Sequence, residues 1–233
     1  MEEKLIKRGA EAELWKTNWL GLDALKKVRV PKKYRAVGLD NEIRVQRTRQ
    51  EARALHAVKQ WGIRVPFVLE VQPKQALLVM EWVEGPTLKE ALQNRKVQRA
   101  QKLKWCTELG KMAGILHSHG LVHGDLTTSN VLVEEKAKGK NSKAQRPLAR
   151  KSKALKENAS TGLALIDFGL TYYSNKLEDL AVDVIGLKKT YAATHFDFPQ
   201  GWKTVLQGYA RAFKGARKVF ARMEKVEGRV RYA

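Results

Sequence analysis

Two short apolar runs, Asn130 to Val133 (NVLV) and Leu163 to Phe168 (LALIDF), constrain this chain more than any other feature. Each has the length and branched-residue content of a β-strand. The first follows directly on the polar run His123-Gly124-Asp125-Leu126-Thr127-Thr128-Ser129-Asn130, and the second closes on Asp167-Phe168-Gly169. Between them, from Lys136 to Lys156, stand nine basic residues, no acidic one and almost no large apolar side chain. Such a segment cannot bury enough surface to offset the entropy of ordering it, so it reads as a mobile insertion spanning about 134–160. Because loop-closure entropy grows only with the logarithm of length, the fold is expected to continue across it.

The chemistry gathers at the ends of these strands. Phosphoryl transfer needs a carboxylate to orient the attacking hydroxyl or water, and hard oxygen ligands to hold Mg²⁺ on the phosphates. Asp125 and Asn130, five residues apart in a polar loop, and Asp167 at the end of the next strand can supply both. Asp-Phe-Gly alone is weak evidence, since such a tripeptide is more often a turn. Joined to His-x-Asp-x₄-Asn in a strand-turn-strand setting it becomes specific.

The same chemistry demands a phosphate-binding lysine on a strand and a carboxylate behind it. The run Ala24 to Val30 offers Lys26 and Lys27, which must face opposite sides because side chains alternate along a strand. In the helical pattern from about Asn41 to Trp61, Glu51 shares a face with Leu55 and Val58, so its carboxylate is expected on a buried stripe. A buried carboxylate requires a cation, and Lys27 paired with Glu51 meets both demands.

The rest of the chain divides into two halves of different pattern. Residues 5–83 contain strand-like runs (Leu25 to Val30, Val68 to Val71, Ala76 to Met80), whereas helical periodicity prevails from Thr87 onward, with the turn signal Glu84-Gly85-Pro86 between. Leu109, Met112, Ala113 and Leu116 form one helical core stripe. Trp202, Val205, Leu206 and Tyr209, continued by Phe213, Phe220 and Met223, form another. A small β-rich lobe hinged to a helical lobe is expected. The first fifteen residues contain no apolar stretch of a secretory signal, no apolar run approaches the ~20 residues of a membrane span, and Cys106 is the single cysteine. A reducing compartment, cytoplasm or nucleus, and no membrane association are therefore expected. The net charge of +21 points to a polyanionic partner, with nucleic acid the foremost candidate.

These residues resemble the small atypical protein kinase subunit of the KEOPS/EKC complex, the PRPK family. The resemblance covers nearly the whole chain apart from the insertion. It is carried by Gly9-Ala10-Glu11-Ala12, Lys27 with Arg29 and Lys33-Tyr34-Arg35, Leu39-Asp40, Arg49-Gln50-Glu51-Ala52, and Met80-Glu81 with Glu84-Gly85. It continues through His123 to Asn130, Ile166 to Leu170, Glu178-Asp179 with Val182-Asp183, and Ala193-Thr194-His195. The resemblance implies an α+β, bilobal protein-kinase-like fold lacking a full activation segment, with a β-rich N-lobe over 1–83 and a helical C-lobe over 84–233. It implies ATP and Mg²⁺ as cofactors, Asp125 and Lys27 as the catalytic pair, and Gly9 in the loop over the phosphates. Lys27 would bind those phosphates, Glu51 would orient it, the backbone of Glu81 to Val83 would hold adenine, and Asn130 and Asp167 would ligate the metal. It further implies an atypical Ser/Thr kinase or ATPase that supports threonylcarbamoyladenosine modification of tRNA. The expected partners are the threonylcarbamoyltransferase subunit, the other KEOPS/EKC subunits, and tRNA, held by basic surfaces and by the tail from Arg211 to Arg231, with eight basic and two acidic residues.

Departures from ordinary protein kinases refine this expectation. The phosphate loop is Gly-Ala-Glu-Ala rather than G-x-G-x-x-G, so side chains must do more of the holding. Gly124 stands where most kinases carry an arginine that grips a phosphorylated loop, Thr127 replaces the usual catalytic-loop lysine, and no Ala-Pro-Glu follows Asp167. These losses favour ATP hydrolysis or restrained autophosphorylation. A free-standing Ser/Thr protein kinase whose basic tracts recruit acidic substrates is the alternative. A nucleic-acid-binding pseudokinase is disfavoured by the intact Lys27, Glu51, Asp125, Asn130 and Asp167.

Overall fold

A computed structural model describes residues 3–134 and 162–230, so the basic insertion lies outside the described residues. The first half is a five-stranded antiparallel sheet of order β1-β2-β3-β5-β4, formed by β1 (Lys4–Arg8), β2 (Ala12–Trp19), β3 (Leu22–Arg29), β4 (Val68–Gln72) and β5 (Leu77–Glu81). Helix α1 (Val37–Gln60) packs on it through Thr48, Glu51, Leu55 and Val58, the spacing expected of one buried face. Alternation along β3 buries Lys27 and Arg29 on one face. Lys26 takes the other and pairs with Glu3.

The chain crosses from sheet to helices through Trp82 to Thr87, where Thr87 and Glu90 form a reciprocal capping box at the start of α2 (Leu88–Gln93). Helices α3 (Arg99–Ser118), α4 (Leu177–Thr194), α5 (Pro199–Ala212) and α6 (Ala216–Val230) build the second half. Two small antiparallel pairs bridge the junction: β6 (Leu121–Val122) with β9 (Tyr172–Tyr173), and β7 (Val131–Val133) with β8 (Leu163–Leu165). One hydrophobic core runs from Leu55 and Met80 through Leu109, Leu116 and Phe168 to Val205 and Tyr209. Among the described residues no helix is long and apolar enough to cross a membrane.

Several sequence expectations shift. The hairpin β1–β2 is not among the expected strands, because β1 is exposed along its whole length and carries no alternation. Helix α1 begins at Val37 rather than Asn41, after Ala36, which offers no capping side chain. Ala76 stands outside β5 in a left-handed conformation (φ 53°) that closes the turn before the strand. The run expected to extend to Phe168 stops at Leu165, since Asp167 turns the chain with φ 63°. The long C-terminal stripe is two helices, broken around Phe213 to Gly215.

Candidate active site

Gly9, Lys27, Asp125 and Asp167 line one cleft of about 230 Å³ between the sheet and the β7–β8 pair, together with Arg29 and Gly169. Glu51 stands behind it, 1% exposed. Lys27 Nζ lies 2.7 Å from Glu51 Oε1 and 2.8 Å from Asp167 Oδ1, so the pairing expected from the sequence is present and extends to a third group. Burial opposes the Lys27 ammonium, yet the charges of Glu51 and Asp167 outweigh it and raise its pKa above the ordinary value. Burial likewise works against ionised Asp167, but Lys27 holds its carboxyl below the usual carboxylate range.

The second oxygen of Glu51 is taken by Arg29, for which the sequence pattern assigns no role. Arg29 Nη2 reaches Glu51 Oε2 at 2.6 Å, making a chain of alternating charge, Arg29–Glu51–Lys27–Asp167, that runs from the interior to the cleft. A Cβ placed on Gly169 would stand 2.8 Å from Arg29 Nη2, so the glycine of Asp-Phe-Gly admits the guanidinium. The signal was available: Arg29 is two residues from Lys27 on the same strand and so faces the same way.

On the opposite wall Asn130 donates its amide to Asp125 Oδ2 at 2.9 Å and to the Asp125 carbonyl at 2.7 Å, which fixes Asp125 and turns Asn130 Oδ1 away. The loop itself is held from below. Asp183, 6% exposed, accepts from the backbone N–H of His123 (3.0 Å) and of Gly124 (2.9 Å), and from His117 Nε2 at 3.1 Å. With Nε2 donating, His117 Nδ1 accepts from the Tyr209 hydroxyl at 2.8 Å. Burial raises the cost of ionising Asp183, but these donors bring its pKa below the ordinary value. Thr128 is anchored by His195 at 3.0 Å. Gly124, at φ 80°, explains its own departure from the arginine common in kinases: a Cβ there would meet the Leu170 carbonyl oxygen at 2.4 Å.

The turn between β1 and β2 closes through Gly9 N–H to the Ala12 carbonyl at 2.9 Å. Glu11 within it pairs with Arg47 of α1 at 2.7 Å, which ties this glycine-poor turn to the helix. Glu81 ends β5 and Val83 sits on the crossing segment, and neither lines the cleft cavity. The Glu81 carboxylate is turned away into a pair with Arg64 (2.7 Å), and the Val83 backbone makes no hydrogen bond among the described residues. From Gly169 the chain reaches α4 at Leu177 with only β9 between, so the long segment on which protein kinases dock substrate is lacking. No group of three metal-ligating side chains occurs among the described residues. A cation here would share Asp167 and Asn130 with oxygens of a phosphate ligand.

This fold and cleft are those of a protein kinase, and residues 1–177 match the model of the protein tyrosine and serine/threonine kinase family, to which the chain belongs. Solved structures agree on the fold: WaaP in complex with acyl carrier protein superposes with a TM-score of 0.64 at 15% identity, covering 98% of this chain and 89% of that one. A Rio2 kinase–ADP/Mg²⁺–phosphoaspartate complex from Chaetomium thermophilum gives 0.60 at 17% identity, covering 99% and 72%.

Within the kinases the chain belongs to the Bud32 family of KEOPS subunits. It is 36% identical to the KEOPS complex subunit Bud32 of Pyrococcus abyssi, over 98% of this chain and 96% of that one. It is 34% identical to the EKC/KEOPS complex subunit bud32 of Dictyostelium discoideum, over 97% and 82%. A probable bifunctional tRNA threonylcarbamoyladenosine biosynthesis protein of Methanococcus maripaludis is 35% identical over 99% of this chain, which spans 36% of that longer protein.

Proposed function

We infer that this chain is an atypical Mg²⁺-ATP-dependent kinase or ATPase that serves as the Bud32-type subunit of a tRNA-modifying assembly, supporting threonylcarbamoyladenosine formation. The observation that carries the reading is the convergence of Lys27, Glu51 and Asp167 within 2.8 Å of one another through the lysine, facing the Asp125–Asn130 pair across one cleft. Lys27 is assigned the nucleotide phosphates, Glu51 the orientation of Lys27, and Gly9 the turn that covers them. Asp167 and the free Oδ1 of Asn130 are hard oxygen donors suited to Mg²⁺, and Asp125 is placed to orient the attacking hydroxyl or water. The backbone from Glu81 to Val83 is assigned adenine.

The short path from Gly169 to α4 favours hydrolysis or restrained autophosphorylation over turnover of many protein substrates. Kinship with Bud32 proteins supports membership of a KEOPS-type complex over a free-standing protein kinase. The transferase subunit and tRNA are the assigned partners, the latter drawn by a net charge of +21. The test is Mg²⁺-ATP turnover by the full chain, with and without bulk tRNA and the transferase subunit, with Asp125→Ala as the blank. Phosphate release stimulated by those partners and absent from the blank is expected. Turnover indifferent to both, with label passing readily to added proteins, would establish a free protein kinase instead.

A further inference from the structure

Helix α1 carries four arginines, and they are not used alike. Arg44 pairs with Asp40 at 2.7 Å and Arg47 with Glu11 at 2.7 Å. Arg49 and Arg53, exposed and one turn apart, meet no carboxylate and no aromatic ring among the described residues. Like charges at i and i+4 repel along a helix. The helix keeps this pair unrelieved, and an anion bound between the two would relieve it.

Both guanidinium groups line a groove of about 630 Å³ between α1 and the β6–β9 pair. The far wall holds Thr171 and Tyr173, the latter 65% exposed. Gln50 donates its amide to the Thr171 carbonyl and so ties the two walls together. Glu42 is the one acidic residue among those lining the groove. Planar, unpaired guanidinium groups are strong phosphate ligands, and side chains at i and i+4 lie close enough to serve neighbouring phosphates of one strand. An exposed tyrosine face opposite them offers a stacking surface for a base. An acidic peptide would satisfy the arginines but leave the ring without a matching partner.

We propose that this groove binds a single-stranded or looped RNA segment, with successive phosphates on Arg49 and Arg53 and a base on Tyr173. The proposal rests on the tRNA reading above and gives that reading a surface. It also connects RNA to the cleft. Glu51 lies two residues from each arginine, about 200° around the helix, so a single stretch of α1 faces the cleft with its carboxylate and the groove with its guanidinium groups. RNA held in the groove restrains the helix that places Glu51.

The test measures binding of fluorescein-labelled bulk tRNA to the full chain by anisotropy across a series of KCl concentrations. Three variants are compared with wild type: Arg49→Gln/Arg53→Gln, Tyr173→Ala, and Lys74→Gln/Lys96→Gln, which removes the same charge from exposed positions outside the groove. The arginine variant is expected to lose about ten-fold or more in affinity at low salt, and its slope of log affinity against log salt to flatten by about 1.4. Tyr173→Ala is expected to lose about five-fold or more with the slope unchanged, and the lysine variant to stay within about two-fold of wild type. Should the arginine double variant fail to unfold cooperatively, the single changes Arg49→Gln and Arg53→Gln are expected to show half the slope change each. Arginine and lysine variants losing affinity alike would overturn the groove, as would binding of polyglutamate that depends on Arg49 and Arg53 while tRNA binding does not. Wild-type protein that binds no tRNA removes the tRNA reading together with the groove. Wild-type binding that all variants share removes the groove alone.

Discussion

The two walls of the cleft are organised by different physics. On the sheet side, charged groups hold one another and reach across the cleft to the turn after β8: Arg29, Glu51, Lys27 and Asp167 form a direct sequence of ion pairs at 2.6 to 2.8 Å. On the helical side the exposed Asp125 is held by Asn130, and its loop is hung by backbone N–H groups from Asp183, which itself rests on His117 and Tyr209. Under the proposed function, the upper wall is thus built from groups that must exchange partners when a nucleotide and metal arrive. The lower wall is a fixed mount whose buried members never meet the ligand. Removing an upper group should therefore affect ligand handling first, and removing a lower one should affect folding first.

The largest effect is expected from Asp167→Asn. Asparagine tolerates the left-handed backbone at φ 63°, so the change isolates the lost charge from backbone strain. Turnover of Mg²⁺-ATP should fall by about 10²-fold or more, while the unfolding temperature moves by only a few degrees. Turnover within two-fold of wild type would show that Asp167 is not the metal ligand.

Asp183→Asn tests the other wall. It exchanges a buried acceptor of three hydrogen bonds for an amide that confronts two backbone N–H groups with one carbonyl oxygen, and should cost about 3 kcal/mol of stability. Chemical denaturation measures it directly. A loss below about 1 kcal/mol would mean that the loop is held elsewhere.

The contrast also explains what could be read from the chain beforehand. Asp125, Asn130 and Asp167 were legible because their spacing is local, and Lys27 and Glu51 because strand and helix periods say which way a side chain points. Periods give faces and not distances. Arg29 shared the face of Lys27, yet nothing local said that Glu51 would offer it a second oxygen across 22 positions. The mount of Asp183 on His117 joins residues 66 apart, and only tertiary packing brings them together. Hairpin β1–β2 was invisible for the opposite reason: β1 buries nothing, so it leaves no pattern.

Arg29 sharpens the comparison further. Because Arg29 neutralises one oxygen of Glu51, Lys27 in the proposed function can share its charge between the carboxylate that orients it and a phosphate without leaving Glu51 under-neutralised. Arg29→Gln should bind Lys27 more tightly to Glu51 and raise KM for Mg²⁺-ATP several-fold more than it lowers kcat. Adding Glu51→Gln should cancel most of the extra penalty, since the charge to be neutralised is gone. Equal effects of Arg29→Gln in both backgrounds would disconnect the two residues.

The smallest effect separates the walls by pH. Burial pushes His123 and His195, both on the helical side, below the ordinary imidazole value near 6.5. A depressed folded pKa supplies stability that is complete above the unfolded value and is lost as pH falls from there through the folded one. The unfolding temperature should accordingly be flat from pH 8 to about 6.5 and decline below it, at no more than about 1.4 kcal/mol per pH unit for each histidine. The sheet side is silent in that window. Lys27 is raised, so its contribution persists up to and beyond pH 10, and Asp167 is depressed, so its contribution fails only below the carboxylate range near 4. His119, lowered by burial where it stacks on Trp61, adds to the same decline, so thermal melts between pH 8 and 5 report on these histidines and not on the Lys27–Glu51 pair. A profile unchanged by Lys27→Met but flattened by His195→Gln is expected, and a decline below pH 6.5 that disappears in Lys27→Met would assign the acid sensitivity to the wrong wall.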